Sequence, residues 1–190
     1  MELNEARLQY GKLKKAFTMV IWLVGLSGAG KTTIGKYVYK LLKKESSNTV
    51  MVDGDDIRAI FKHDRGPDAY TIEGRRKNAD RICEICAWLD RQGINVVCSI
   101  LSIFEESRRW NRQTYSRYFE IYISVSMDTL LERNRKNLYT DALQGKIENV
   151  VGVDIPFSPP EKPDYVLDNN DNIDFNAVAA DILARAKRVI

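Results

Sequence analysis

Apolar residues along this chain fall into short continuous runs separated by stretches in which they recur every three or four positions. Met19 to Val24, Thr49 to Val52, Ile94 to Ile100, Phe119 to Val125 and a shorter Tyr165 to Leu167 read as buried strands. Between and after them the helical period predicts helices over Thr32 to Lys44, Arg75 to Arg91, Glu105 to Tyr118, Met127 to Arg135 and Phe175 to Val189. The last carries its apolar stripe through Phe175, Val178, Ala179, Ile182 and Ala186 and reads as a closing helix without chemistry. Strand and helix in alternation predict an α/β fold, a parallel sheet covered by helices on both faces. Residues 1–18 carry leucines among charged residues and read as an N-terminal surface helix, leaving 19–190 as one domain.

Two segments break the rhythm. Lys62 to Gly74 is polar and turn-rich, and Lys136 to Pro163 carries four of the five prolines. Loops of this length in a compact domain are lids or binding loops, and here they would emerge at the carboxyl ends of the strands.

Composition narrows the classes. With 190 residues, 44% apolar and 29% charged, the chain suits a single globular domain, and a net charge of +3 is too small to argue for nucleic acid as partner. The longest apolar stretch, Met19 to Leu26, is far short of the roughly 20 residues of a spanning helix, so no membrane partner is expected. Three cysteines do not make a disulfide scaffold, and a reducing cytoplasm is the expected setting. Cys83 and Cys86 lie within a helical pattern and read as small buried hydrophobes.

Chemistry begins at Gly25-Leu-Ser-Gly-Ala-Gly-Lys31-Thr32, a full match to the phosphate-cradling pattern, placed between a strand and an amphipathic helix. Glycines let backbone N–H groups converge, Lys31 reaches the terminal phosphates, Thr32 can ligate Mg²⁺, and the following helix aims its positive end at the anion. A nucleoside triphosphate is the expected ligand. After the second strand, Asp53-Gly54-Asp55-Asp56-Ile57-Arg58 sets carboxylates and an arginine at a strand's carboxyl end. Asp55 is the candidate to take or orient an acceptor proton, directly or through the Mg²⁺ shell. The same segment also suits a turn in which Asp53 or Asp55 caps the next helix. Arg75, Asn78 and Arg81 share one helix face, which suits either a nucleotide or a solvated row of charges.

These pieces, followed by Glu132-Arg133, Lys136-x-Leu138-Tyr139, Gly145-x-Ile147-x-Asn149, Gly152-Val153-Asp154 and Pro156-Phe157…Pro160-Glu161-x-Pro163, resemble the adenylylsulfate kinases in order over about residues 17 to 170. The resemblance implies a P-loop kinase with a mobile lid over about 133–163, acting on the ribose 3′-hydroxyl of adenosine 5′-phosphosulfate with ATP. Carried over by position, Gly28, Ala29, Gly30, Lys31, Thr32, Thr33 and Arg133 would hold ATP, with Thr32 and Asp55 at Mg²⁺ and Asp55 and Lys31 catalytic. Asp53, Arg58, Arg75, Asn78, Ser102, Lys136, Leu138 and Phe157 would hold the acceptor, Phe157 packing on its base. The resemblance also implies a homodimer.

Departures stand out. Where the family reads Phe-Ile-Ser-Pro-Tyr-Arg, this chain has Ile100-Leu-Ser102-Ile-Phe104-Glu105, and Gly66 is followed by Pro67 in place of a phenylalanine. Tyr70 is the candidate replacement for that second aromatic wall. The Ser102-Ile-Phe-Glu…Trp110-Asn111-Arg112 stretch resembles a branch found in bacterial capsule pathways, which implies cytidine diphosphoramidate as the alternative acceptor. Regulatory GTPases share the cradle, but the Val125-Ser126-Met127-Asp128 stretch lacks their guanine-reading pattern.

Overall fold

The computed structural model describes residues 18–133 and 137–189. Five strands, β1 (Val20–Val24), β2 (Thr49–Asp53), β3 (Asn95–Ile100), β4 (Tyr118–Ser124) and β5 (Tyr165–Asp168), form one parallel sheet in the order β2-β3-β1-β4-β5. The alternation along the chain predicted this sheet. β1 is central and all five of its residues are buried, which is why it reads as an unbroken apolar run instead of an alternation.

Helices cover both faces. Ile21 and Leu23 face α1 (Lys31–Glu45), through Ile34, Val38 and Leu42, and the cluster continues to Leu130 of α5 (Met127–Arg133) and to Ala179 and Ile182 of α7 (Phe175–Ala186). Val20, Trp22 and Val24 point the other way, into Ala79, Ile82, Cys83 and Cys86 of α3 (Ile72–Arg91). Alternate side chains of one strand thus anchor two layers. All three cysteines are buried and free, and burial pushes the Cys83 thiol up to about 12, in line with the packing role expected of Cys83 and Cys86. Trp110, on α4 (Glu105–Thr114), meets Tyr115 edge-on at 6.0 Å and also packs on this second cluster.

Element boundaries differ from expectation at several places, and α7 ends at Ala186, three residues before Val189. α3 begins at Ile72, three residues early, because the Thr71 hydroxyl caps it by accepting from the Gly74 amide at 3.1 Å. α4 stops at Thr114 instead of reaching Tyr118, because the Asp90 carboxylate takes both the amide and the hydroxyl of Ser116, at 2.7 and 2.6 Å, and straightens the chain into β4. α2 (Gly54–Ile60), a single 3-10 turn Pro67–Tyr70 and α6 (Leu138–Leu143) occupy segments that carried too few residues to show a period. The expected N-terminal helix over 1–18 lies outside the described residues except for its last position, Thr18, which is in neither helix nor strand.

Order in the sheet positions the site. The chain leaves β1 for β2 at one edge, returns through β3, and crosses to β4 on the other side, so the crevice lies at the carboxyl end of β1 between its two neighbours. The glycine-rich loop occupies that end, and β2 brings Asp53 to the same rim.

Candidate active site

Between β1 and α1 the loop turns through two left-handed positions, Gly28 at φ 79° and Gly30 at φ 97°, where a side chain would be strained. Gly30 is the N-terminal flank of α1, so the unpaired amides of the first helical turn face the crevice. Lys31 is half-buried, and its Nζ donates to the Leu26 carbonyl at 2.8 Å. Burial lowers its ammonium to about 8, against the opposing pull of Asp53 and Asp55. Both carboxylates therefore lie close enough to Lys31 to act on its charge.

The Thr32 hydroxyl donates to Asp53 Oδ2 at 2.7 Å, while Asp53 Oδ1 accepts from the Asp55 amide at 3.0 Å. Asp53 therefore does two things: it caps α2, the alternative left open by the sequence, and it joins the threonine of the phosphate loop. Placed with the acceptor by resemblance, it is hydrogen-bonded here to Thr32 of the phosphate loop. Asp55, in the first turn of α2, acts on the charge of both Lys31 and Arg75.

On the side expected for the acceptor, α2 and α3 converge around Tyr70. The Arg58 guanidinium lies 4.8 Å and that of Arg75 5.6 Å from the Tyr70 ring centroid. Arg58 also donates to the Ala69 carbonyl, and Arg75 donates to the carbonyls of Tyr70 and Asn149, both at 2.8 Å. Burial, then repulsion from Arg58, lowers the proton affinity of Arg75. Asn78 is buried and donates to the Gly54 carbonyl at 3.0 Å, fixing the start of α2. Its Oδ1, like Nε of Arg58, is buried without a hydrogen-bond partner among the described residues. Arg81, the third residue of the row, lies over Phe61 at 4.6 Å.

Phe157 is half-buried, tilted 34° against Tyr122 at 6.1 Å. Ser102 departs from expectation: its side chain is turned into the core, where the hydroxyl accepts from the Trp22 indole at 3.4 Å, at a backbone φ of 50°. Arg108 donates to its carbonyl and to Glu105, the acid that stands where the family has a base. Lys136 lies outside the described residues. Leu138 is partly buried against the first core cluster. Arg133, expected at ATP, donates to the carbonyls of Gly28, at 3.4 Å, and Asn169.

Three further residues bear on the site. Asn169, directly after β5, donates to the Ala29 carbonyl at 2.8 Å, and Tyr139 donates to that of Ser27 at 2.9 Å. Asp154 accepts from the amides of Asn149 and Val150 and so shapes the loop that meets Arg75; these amides hold its carboxyl below the usual range even though burial opposes ionisation. Tyr139 and Asp154 belong to the motif series noted above, whereas Asn169 carried no signal.

Residues 17–168 match the sequence profile of the adenylylsulphate kinases. The chain is 42% identical over 151 residues to the cytidine diphosphoramidate kinase of Campylobacter jejuni, spanning 80% of this chain and 86% of that protein. It is 37% identical over 158 residues to a probable adenylyl-sulfate kinase of Aeropyrum pernix, spanning 81% and 85%. Its fold is similar to that of the Mycobacterium tuberculosis APS kinase CysC, in complex with AMPPNP and APS, with a TM-score of 0.78 and 26% identity over 90% of this chain and 98% of that one.

Proposed function

Because this chain belongs to the adenylylsulphate kinase family, we propose that it moves the γ-phosphoryl group of ATP to the ribose 3′-hydroxyl of a nucleotide, and that this nucleotide is cytidine diphosphoramidate. The observation that carries the acceptor is the state of its aromatic wall. Tyr70, the candidate second plate for a base, is engaged by two guanidinium groups, which leaves Phe157 as the single aromatic expected to meet a base. A pyrimidine offers less stacking surface than a purine and loses less to a one-plate pocket. The similarity to the Campylobacter jejuni enzyme agrees with this. Adenosine 5′-phosphosulfate is the second reading, favoured by the Aeropyrum pernix relative and by the bound compounds of the Mycobacterium tuberculosis structure.

In the reaction the acceptor oxygen forms a bond to the γ-phosphorus as the bond to the β-phosphate oxygen breaks, releasing ADP. Asp55 orients the 3′-hydroxyl and takes its proton, and Lys31 balances charge building on the β- and γ-oxygens. Arg58, Arg75 and Asn78 hold the acceptor, and its anionic tail suits the two guanidinium groups. The Thr32 hydroxyl and the carboxylate of Asp53, in place of the Asp55 that the resemblance implied, are hard oxygen donors 2.7 Å apart and fit Mg²⁺, which takes few protein groups beside substrate phosphates. When bound there, Mg²⁺ would neutralise developing phosphate charge. Segment 133–163 acts as the lid, excluding water that would otherwise hydrolyse ATP. We place the protein in the cytoplasm as a homodimer.

A side-by-side assay of ADP release with the two acceptors tests this. The expected kcat/KM favours cytidine diphosphoramidate by about two- to tenfold, the scale of one lost stacking contact. A reversed ratio would transfer the assignment to adenosine 5′-phosphosulfate, and turnover with neither would overturn the reaction.

A further inference from the structure

Three successive carbonyls of the phosphate loop each accept from a side chain of a different element. Ser27 O takes the Tyr139 hydroxyl from α6, Gly28 O takes Arg133 from the end of α5, and Ala29 O takes the Asn169 side-chain amide from the residue after β5. None of the three donors lies in the loop, and Tyr139 and Asn169 are both buried. Burial pushes the Tyr139 hydroxyl up to about 12, so it remains a donor near neutral pH. Asn169 is itself fixed, its backbone N–H donating to the Ser124 carbonyl at 3.0 Å and its backbone carbonyl accepting from Arg133.

A trans peptide sends its C=O and the following N–H to opposite sides, and the chain has no cis bonds among the described residues. Turning the Ser27 and Ala29 carbonyls toward Tyr139 and Asn169 therefore turns the Gly28 and Gly30 N–H groups away from them. Gly30 carries an independent mark of the same arrangement: a Cβ there would lie 2.7 Å from Asn169 Nδ2. The glycine thus permits both the left-handed turn and the close approach of the amide that holds the preceding carbonyl.

We propose that Tyr139 and Asn169 are positioning residues for the donor triphosphate, holding the peptide planes of the loop so that its amides are aimed before ATP arrives. Tyr139 also makes α6, within the lid segment, part of the cradle's own support. This rests on the donor half of the function above and is independent of the acceptor.

The test measures ATP affinity by calorimetry, KM for each substrate, and melting temperature, on the full chain. Tyr139→Phe keeps the ring and removes only the hydroxyl; Asn169→Asp keeps the shape and replaces the donor by an acceptor. Tyr139→Phe weakens ATP binding about three- to tenfold, the scale of one neutral hydrogen bond, and Asn169→Asp, which sets a carboxylate against the Ala29 carbonyl, weakens it further; both leave the acceptor KM unchanged. Tyr118→Phe serves as control, since it deletes the buried bond to Glu120 at 2.6 Å away from the loop and should lower the melting temperature alone. Should Asn169→Asp not fold, Tyr139→Phe carries the test. Unchanged ATP affinity in Tyr139→Phe, or an acceptor KM that moves as far as the ATP affinity, would overturn the proposal. Failure of the unaltered chain to bind ATP would overturn it together with the donor assignment.

Discussion

The two halves of the site are built by different physics. On the donor side the loop is held by hydrogen bonds from four side chains to four consecutive carbonyls, Leu26 to Ala29, so its shape is set by the fold around it. On the side proposed for the acceptor Arg58, Arg75 and Tyr70 hold one another through cation–ring contacts, while Arg58 Nε and Asn78 Oδ1 stay without partners among the described residues. Buried polar atoms left unpaired are costly, and a ligand that satisfies them recovers that cost. A polyphosphate is the same in every ATP-dependent reaction and rewards a fixed cradle. The named relatives differ in acceptor, a cytidine diphosphoramidate kinase beside adenylyl-sulfate kinases.

The contrast can be broken from the donor side first. Lys31→Ala should lower kcat/KM by about 10³-fold or more, because the terminal phosphates lose their main side-chain cation, while circular dichroism shows an intact fold. Second in size is Asp55→Asn: a fall in kcat of roughly 10² with ATP affinity within a few fold, the scale of a positioned acid–base group. Single-turnover kinetics would separate the two. An Asp55 variant with unchanged turnover would remove that residue from the chemistry.

Smaller effects sharpen it. Lys31 titrates near 8 because burial disfavours its charge. As pH rises through that value the ammonium is lost, so kcat/KM for ATP should fall about tenfold between roughly pH 7 and pH 9, following the free enzyme. A profile flat across that range would show that the charge of Lys31 is not what grips the phosphates. Tyr70→Ala removes two cation–ring contacts of about 0.5–1 kcal/mol each and should raise the acceptor KM by about 5- to 30-fold with ATP KM unchanged. Smallest is Thr71→Ala, which deletes the cap of α3 and should cost about 1 kcal/mol of stability by denaturant unfolding.

What could be read from the chain follows the same division. β1, β3 and the phosphate loop were legible because a strand buried on both faces leaves a continuous apolar run, and because the cradle is local in sequence. Glu105 to Tyr118 was overextended because Tyr115 and Tyr118 continue the helical period, and the stop comes from Asp90, distant in sequence. Asp53 was ambiguous between cap and ligand because one carboxylate with two oxygens does both jobs. Asn169 was invisible: its bond to Ala29 spans 140 positions and depends on β4 pairing with β5. Ser102 looked functional in its motif, yet its side chain is turned toward Trp22 by a left-handed backbone.

The most direct measurement is phosphorus NMR of the product formed from ATP and cytidine diphosphoramidate. Transfer to the ribose 3′-hydroxyl predicts a new monoester phosphorus coupled to the ribose H3′, formed in equal amount with ADP. A phosphorus coupled to another ribose proton, or ADP and inorganic phosphate formed without any monoester, would contradict it.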